Sequence, residues 1–250
     1  PIIRFDHVHK AFGELVVLED LSLDLMPGQT TVIMGPSGVG KSVFLKLLVG
    51  LLYPDDGHIW VTGVDVTRAK EKQLRQVRMK LGMLFQEGAL FDSMTVGENV
   101  AFPLRRHTKM KEAQIREVVD EKLQRVGLPG IEHKMPSQLS GGMRRRVGLA
   151  RAIVLDPEIV LFDEPTTGLD PITSGSIDRL IAEMKQALGI TFVVISHDIV
   201  GTFRIADQIG MLYKGRLIAF GTPDEVKLSR DPVMREFLGR NLVLPPLEQA

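Results

Sequence analysis

Short apolar runs alternate along this chain with longer stretches whose apolar positions recur every three or four residues. Residues 30–34, 81–85 and 191–195 are β-branched or apolar throughout, and 158–163 holds the apolar run Ile159 to Phe162, the pattern of strands buried on both faces. Residues 2–8, 16–18, 21–25, 58–61 and 65–67 are shorter or more alternating, and predict an N-terminal antiparallel β region with a hairpin around Gly63. Helical periodicity marks 42–49, 70–80, 111–126, 144–153 and 171–188. In 111–126 the residues Ile115, Val118, Val119, Leu123 and Val126 share one face. Thr95-Val96-Gly97-Glu98 and Thr222-Pro223-Asp224-Glu225 are capping boxes that start two more helices. Pro103 is expected to end or kink the first of them. Residues 208–213 and 216–220 flank Lys214-Gly215, a hairpin signal. Strands alternating with helices predict an α/β fold with a mainly parallel core sheet. Residues 87–155 read as a helical subdomain inserted into one domain spanning 1–240, and 241–250 reads as an extended tail.

The strand at 30–34 runs into Gly35-Pro36-Ser37-Gly38-Val39-Gly40-Lys41-Ser42, and a helix follows at once. This is G-x-x-x-x-G-K-[ST], the phosphate-binding P-loop, in the strand–loop–helix context its mechanism requires. Glycines let backbone N–H groups close around an anion, and the helix N-terminus adds partial positive charge. Lys41 would reach the outer phosphates, and the Ser42 hydroxyl would ligate Mg²⁺.

Composition narrows the partners. The chain has 250 residues, 31 basic and 31 acidic, so its formal charge is zero, which argues against nucleic-acid binding driven by bulk positive charge. Hydrophobic residues make up 44 %, enough for a sizeable core. Without cysteine there is no disulfide, thiolate metal site or thiol nucleophile. Pro1-Ile2-Ile3-Arg4-Phe5-Asp6 is not a signal-peptide pattern, and no apolar run is long enough to span a bilayer.

Further chemistry sits at strand and helix ends. Asp163 and Glu164 close an apolar strand expected to lie beside the P-loop strand. There Asp163 would hold Mg²⁺ and Glu164 would act as general base on the attacking water. As merely structural acids, both would need solvent or partners. His197 follows another core strand; alone it reads as an ordinary satisfied histidine, but in a P-loop fold it can reach the γ-phosphate. Gln86 ends the strand at 81–85, ordinarily a polar terminator, and is of interest only if that strand neighbours the P-loop strand. Phe12 is either packing or a platform for a purine ring. Ser140-Gly141-Gly142 opens a helix and forms a second anion nest. Two such nests in one chain suggest two copies sandwiching nucleotide between them.

In this order the P-loop, Gln86, Leu139-Ser140-Gly141-Gly142, Asp163-Glu164, Gly168-Leu169-Asp170 and His197 resemble an ABC ATPase, over about residues 2–225. The resemblance implies a P-loop NTPase fold with a RecA-like core, ATP and Mg²⁺ as cofactors, adenine stacking on Phe12, Gln86 in contact with Mg²⁺ or water, and Asp170 working across a homodimer interface. Residues 40–46, 86–93 and the Ser140-Gly141-Gly142-Met143 run resemble the MlaF-type branch. Met143 replaces the glutamine usual in ABC proteins but agrees with that branch. This implies an ATPase moving phospholipids between bacterial inner and outer membranes. It would sit on the cytoplasmic face of the inner membrane through a permease, with a periplasmic MCE lipid-binding protein and a small STAS-domain protein as partners. The alternatives are another ABC importer or exporter, or a soluble ABC ATPase; no sustained heptads lie between Lys41 and Ser140 to suggest the latter.

Overall fold

The computed structural model describes residues 1–239 and 242–243; apart from 242 and 243, the expected tail at 241–250 lies outside the described residues. In chain order the elements are β1 (Ile3–Phe12), β2 (Leu15–Leu25), β3 (Thr30–Met34), α1 (Lys41–Leu48), β4 (Asp56–Val61), β5 (Val64–Asp65), α2 (Glu71–Met79) and β6 (Leu81–Leu84). Next come α3 (Val96–His107), α4 (Glu112–Arg125), a 3-10 turn (Pro136–Gln138), α5 (Gly141–Ala152), β7 (Ile159–Asp163), α6 (Pro171–Leu188) and β8 (Thr191–Ser196). The chain closes with α7 (Ile199–Ile205), β9 (Gln208–Tyr213), β10 (Arg216–Gly221), α8 (Pro223–Lys227) and α9 (Pro232–Gly239). Two compact units result, one from 1–77 with 191–250, the other from 78–190.

In the first unit β2, β1, β4 and β5 form an antiparallel sheet. The segments expected separately at 16–18 and 21–25 are one strand, β2, because the ladder to β1 accommodates irregular register between Phe5 and Ala11 instead of breaking. Thr62 and Gly63 both take positive φ, 47° and 81°, as a two-residue hairpin turn between β4 and β5 requires. Phe5 of β1 stacks on Phe44 of α1, ring centroids 4.4 Å apart, joining this sheet to the phosphate-loop helix. β3 pairs in parallel with both β8 and β9, and β10 adds antiparallel to β9. Every residue of β3 and β8 is buried, which explains their unbroken apolar runs. Met34, Ile209 and Met211 pack with Ile199 of α7, Val226 of α8, and Met234 and Leu238 of α9.

Asp163 was expected on the strand beside β3, but β8 and β9 take both sides of β3, so it is His197, after β8, whose strand borders the phosphate-loop strand.

In the second unit β6 and β7 pair in parallel, Leu84 opposite Phe162. Val100 and Leu104 of α3, Ile115, Val119 and Leu123 of α4, and Val147 of α5 are buried. Pro103 does not end α3, which continues to His107. The capping box at Thr95 and buried Leu104 hold the helix across the proline. Asn99, fully buried, makes up for the local irregularity before α3: its amide donates to the carbonyls of Phe91, Met94 and Thr95, and its oxygen accepts from Phe91 N. Among the described residues no helix is long and apolar enough to cross a membrane.

Candidate functional site

The first unit builds the glycine-rich loop expected to bind phosphate. Between β3 and α1 the loop turns through Gly35, Gly38 and Gly40, with φ of 152°, 81° and 102°. Gly35 lies so close to β9 that an added Cβ would stand 2.3 Å from the Leu212 carbonyl oxygen. Gly38, by contrast, faces open space. One glycine anchors the loop to the sheet and the other leaves its outer face bare for a ligand. Lys41, almost wholly buried, donates to the carbonyls of Gly35 at 2.7 Å and Pro36 at 3.0 Å, so its ammonium sits inside the loop. Ser42 follows on the first turn of α1 and is exposed. Val39 completes the loop.

His197 lies exposed between the end of β8 and Asp198, which caps α7 by accepting from Gly201 N. Pro36, Ser37 and His197 line one open cleft of about 380 Å³ with Tyr213 and Glu236. The parallel pairing of β3 and β8 sets this neighbourhood, because both strands end at the same edge. Phe12 ends β1 with 48 % of its surface exposed, and Lys10 Nζ stands 5.3 Å from its ring centroid. An aromatic so exposed is not core packing.

The second unit carries the acids. β6 and β7 end side by side, so Gln86 and Asp163-Glu164 emerge at one edge of that strand pair. Asp163 and Glu164 are half-buried, and Gln86 is exposed. Glu164 takes φ 53°, a left-handed conformation that a non-glycine residue holds only at a cost of about 1–3 kcal/mol. A turn holds it: Thr167 N donates to the Glu164 carbonyl at 3.3 Å, and Thr167 Oγ1 donates to Glu164 Oε2 at 3.0 Å.

Ser140 caps α5, its hydroxyl accepting from Met143 N at 3.3 Å. Gly141 and Gly142 form the first turn, and a Cβ on Gly142 would meet the Thr173 methyl at 2.6 Å. Asp170 caps α6, accepting from Ile172 N and Thr173 N at 3.0 Å each, and the Thr173 hydroxyl adds a further bond. The Thr173 contacts hold the Asp170 carboxyl below the usual carboxylate range. Sequence reasoning missed this capping role, although Asp-Pro before a helical period is its signal. It also missed Arg145 and Thr167. Arg145 donates to the Thr167 and Gly141 carbonyls, but in the sequence it stands inside an ordinary basic run.

The chain as a whole has known relatives. The ABC transporter family profile matches residues 18–167. A protein of Mycobacterium leprae named as a probable ribonucleotide transport ATP-binding protein, mkl, is 46 % identical over 236 residues, 94 % of this chain and 68 % of that one. The MlaF ATP-binding protein of an intermembrane phospholipid transport system in Haemophilus influenzae is 46 % identical over 226 residues, 90 % of this chain and 86 % of that one. The fold is similar to the ATP-binding cassette MJ0796, solved as a dimer in a post-hydrolysis state with ADP and Pi, at TM-score 0.80 and 31 % identity, covering 88 % of this chain and 98 % of that one. A phosphate loop closed on a buried lysine, an acid pair at a strand end and a second helix-start nest therefore stand in a chain that belongs to the ABC transporter family and is one of its ATP-binding, ATP-hydrolysing subunits.

Proposed function

We propose that this chain powers phospholipid movement between the inner and outer membranes of a bacterium. The observation that carries the reading is its 46 % identity to the MlaF protein over 90 % of its length. Residues 1–240 act as one cassette, with the helical stretch at about 87–155 as its inserted subdomain. The phosphate loop, Gly35 through Ser42, holds the nucleotide phosphates, Lys41 countering their charge, and Phe12 stacks on adenine. Ser42, Gln86 and Asp163 would hold Mg²⁺; all three offer oxygen donors, which suit a hard cation that neutralises phosphate charge. Glu164 takes the proton of the attacking water and His197 contacts the γ-phosphate. Ser140, Gly141, Gly142 and Asp170 serve the nucleotide of a second copy, so the active form is a homodimer.

The chain works on the cytoplasmic face of the inner membrane, docked on a permease. Phe91 and Phe102 support this: they are 44 % and 40 % exposed, with ring centroids 5.1 Å apart. Beside them Met94, Glu98, Phe102, Arg105 and Arg106 line an open groove of about 320 Å³. An exposed aromatic pair next to a groove suits an apolar helix from a membrane partner. The branch also implies a periplasmic MCE lipid-binding protein and a small STAS-domain protein in the assembly.

A second cargo, ribonucleotide, is favoured by the name of the mkl relative at equal identity. Deleting the gene separates the two. Phospholipid transport predicts a leaky outer membrane with surface-exposed phospholipid. Loss of ribonucleotide uptake with an intact envelope would overturn the phospholipid reading. Purifying the chain from membranes with its bound partners, and identifying permease and lipid by mass spectrometry, tests the assembly.

A further inference from the structure

Arg145 sits in a basic run but not in a surface environment. Only 6 % of it is exposed, and its Nε has no hydrogen-bond partner. Burial pushes its pKa below the ordinary arginine value, against the attraction of Glu87. A guanidinium kept buried with a donor unused needs a positional reason.

Its remaining nitrogens supply one. One donates to the Thr167 carbonyl and the other lies 3.4 Å from the Gly141 carbonyl. Thr167 in turn closes the turn on Glu164 with both its N–H and its hydroxyl. A chain of contacts therefore runs from the first turn of α5, through Arg145 and Thr167, to the Glu164 carboxylate. The start of α5 also lies against residues that follow this turn, Leu169, and Thr173 of α6. A Cβ on Gly141 would meet Leu169 at 3.2 Å, and one on Gly142 would meet Thr173 at 2.6 Å. The strained φ of Glu164 is the kind of conformation that persists only when its surroundings fix it.

We propose that Arg145 is a positioning residue for Glu164, pinning the Glu164–Thr167 turn to the start of α5 so that the carboxylate's orientation follows the seating of the Ser140–Gly142 nest. The inference rests on the roles proposed above for Glu164 and for that nest. In the homodimer the nest serves the partner's nucleotide, while Glu164 serves the chain's own. Arg145 then links the two hydrolytic sites, and ATP binding at one orients the base at the other. Lysine would be a poor substitute, because one ammonium lacks the planar fork that reaches two carbonyls.

The test measures ATPase rate against ATP concentration for the purified full chain, as wild type and as Arg145→Gln, Arg145→Lys, Thr167→Val, Arg145→Gln with Thr167→Val, and Glu164→Gln. Misorienting the base predicts a kcat about 10–100-fold lower in Arg145→Gln, with KM changed by less than about threefold. Arg145→Lys falls in between. Thr167→Val acts in the same direction, and the double variant is no worse than about twofold below the weaker single, because both act through one chain of contacts. A kcat for folded Arg145→Gln within about twofold of wild type, or effects that multiply in the double variant, would overturn the inference. If Arg145→Gln does not fold, Thr167→Val decides the matter: Thr167 is half-exposed, and wild-type kcat in that variant rejects the proposal. Wild-type hydrolysis by Glu164→Gln would indict the base assignment instead. An inactive Glu164→Gln beside wild-type Arg145→Gln and Thr167→Val would sink the positioning role alone.

Discussion

Two glycines of the phosphate loop should fail in opposite ways when replaced by alanine. At Gly35 the new methyl would lie 2.3 Å from the Leu212 carbonyl oxygen, where contacts below 3.0 Å are essentially never seen, so β9 or the loop must move by 3.0 − 2.3 = 0.7 Å. The obstacle is backbone inside a buried sheet, so it cannot swing aside as a side chain would. Overpacking of this kind costs about 1–3 kcal/mol, and a φ of 152° adds about 1–3 kcal/mol for a residue with a Cβ. For a chain of this size that lowers Tm by about 5–20 °C. Gly38→Ala meets nothing within 4 Å and incurs only the left-handed penalty, about 1 kcal/mol. Its methyl would instead occupy the face offered to phosphate. Losing one charge-assisted amide contact costs about 1.5–3 kcal/mol, or about 10–100-fold in Kd. Thermal melts without nucleotide and titration with a fluorescent ATP analogue separate the two effects. Gly35→Ala melting within about 2 °C of wild type, or Gly38→Ala losing as much Tm as Gly35→Ala, would refute the packing argument.

Four further outcomes are expected. Glu164→Gln should dimerise with Mg-ATP but not Mg-ADP in light scattering, with phosphate release down about 10²-fold or more; wild-type release rejects the base. Leu90→Asp or Phe91→Asp should abolish transport while nucleotide binding stays intact, since Phe91 sits on the exposed aromatic pair; normal transport by both removes the docking groove. Pro103→Ala should raise Tm by several degrees, because it restores a donor in the interior of α3 and relieves a clash that typically costs about 3 kcal/mol; an unchanged melt would mean the helix already accommodates the ring. At Asp65 burial pushes the pKa up, but hydrogen bonds from Thr67 and His58 outweigh it and hold it below the usual carboxylate value. That stability is present above the unfolded pKa and fades as pH falls through the folded one. Asp65→Asn should therefore show a shallower loss of Tm on acidification below the ordinary carboxylate range, and an identical acid limb counts against the reading.

What the sequence determined by itself was local. Runs such as 30–34 and 191–195 declare buried strands, because a strand covered on both faces cannot carry a polar alternation. The glycine-rich turn into α1 was legible for the same reason: it is one short segment folding on itself. The capping boxes at Thr95 and Thr222 also need only residues three apart, and both are present. Strand order was not legible. Which strand borders β3 depends on crossovers, and β8 holds the place expected for the strand of Asp163. Of the two outcomes expected at Pro103, an end does not occur, because buried Asn99 and Leu104 carry α3 past it. α7 and α9 were missed because they are short, with apolar residues that declare themselves only against Met34 and Met211. Arg145 shows the limit most clearly. In sequence it is the middle of three arginines, and twenty-two positions separate it from Thr167. Only the packing of α5 against the turn after β7 buries it, and burial turns a solvated charge into one that must find carbonyls to bond.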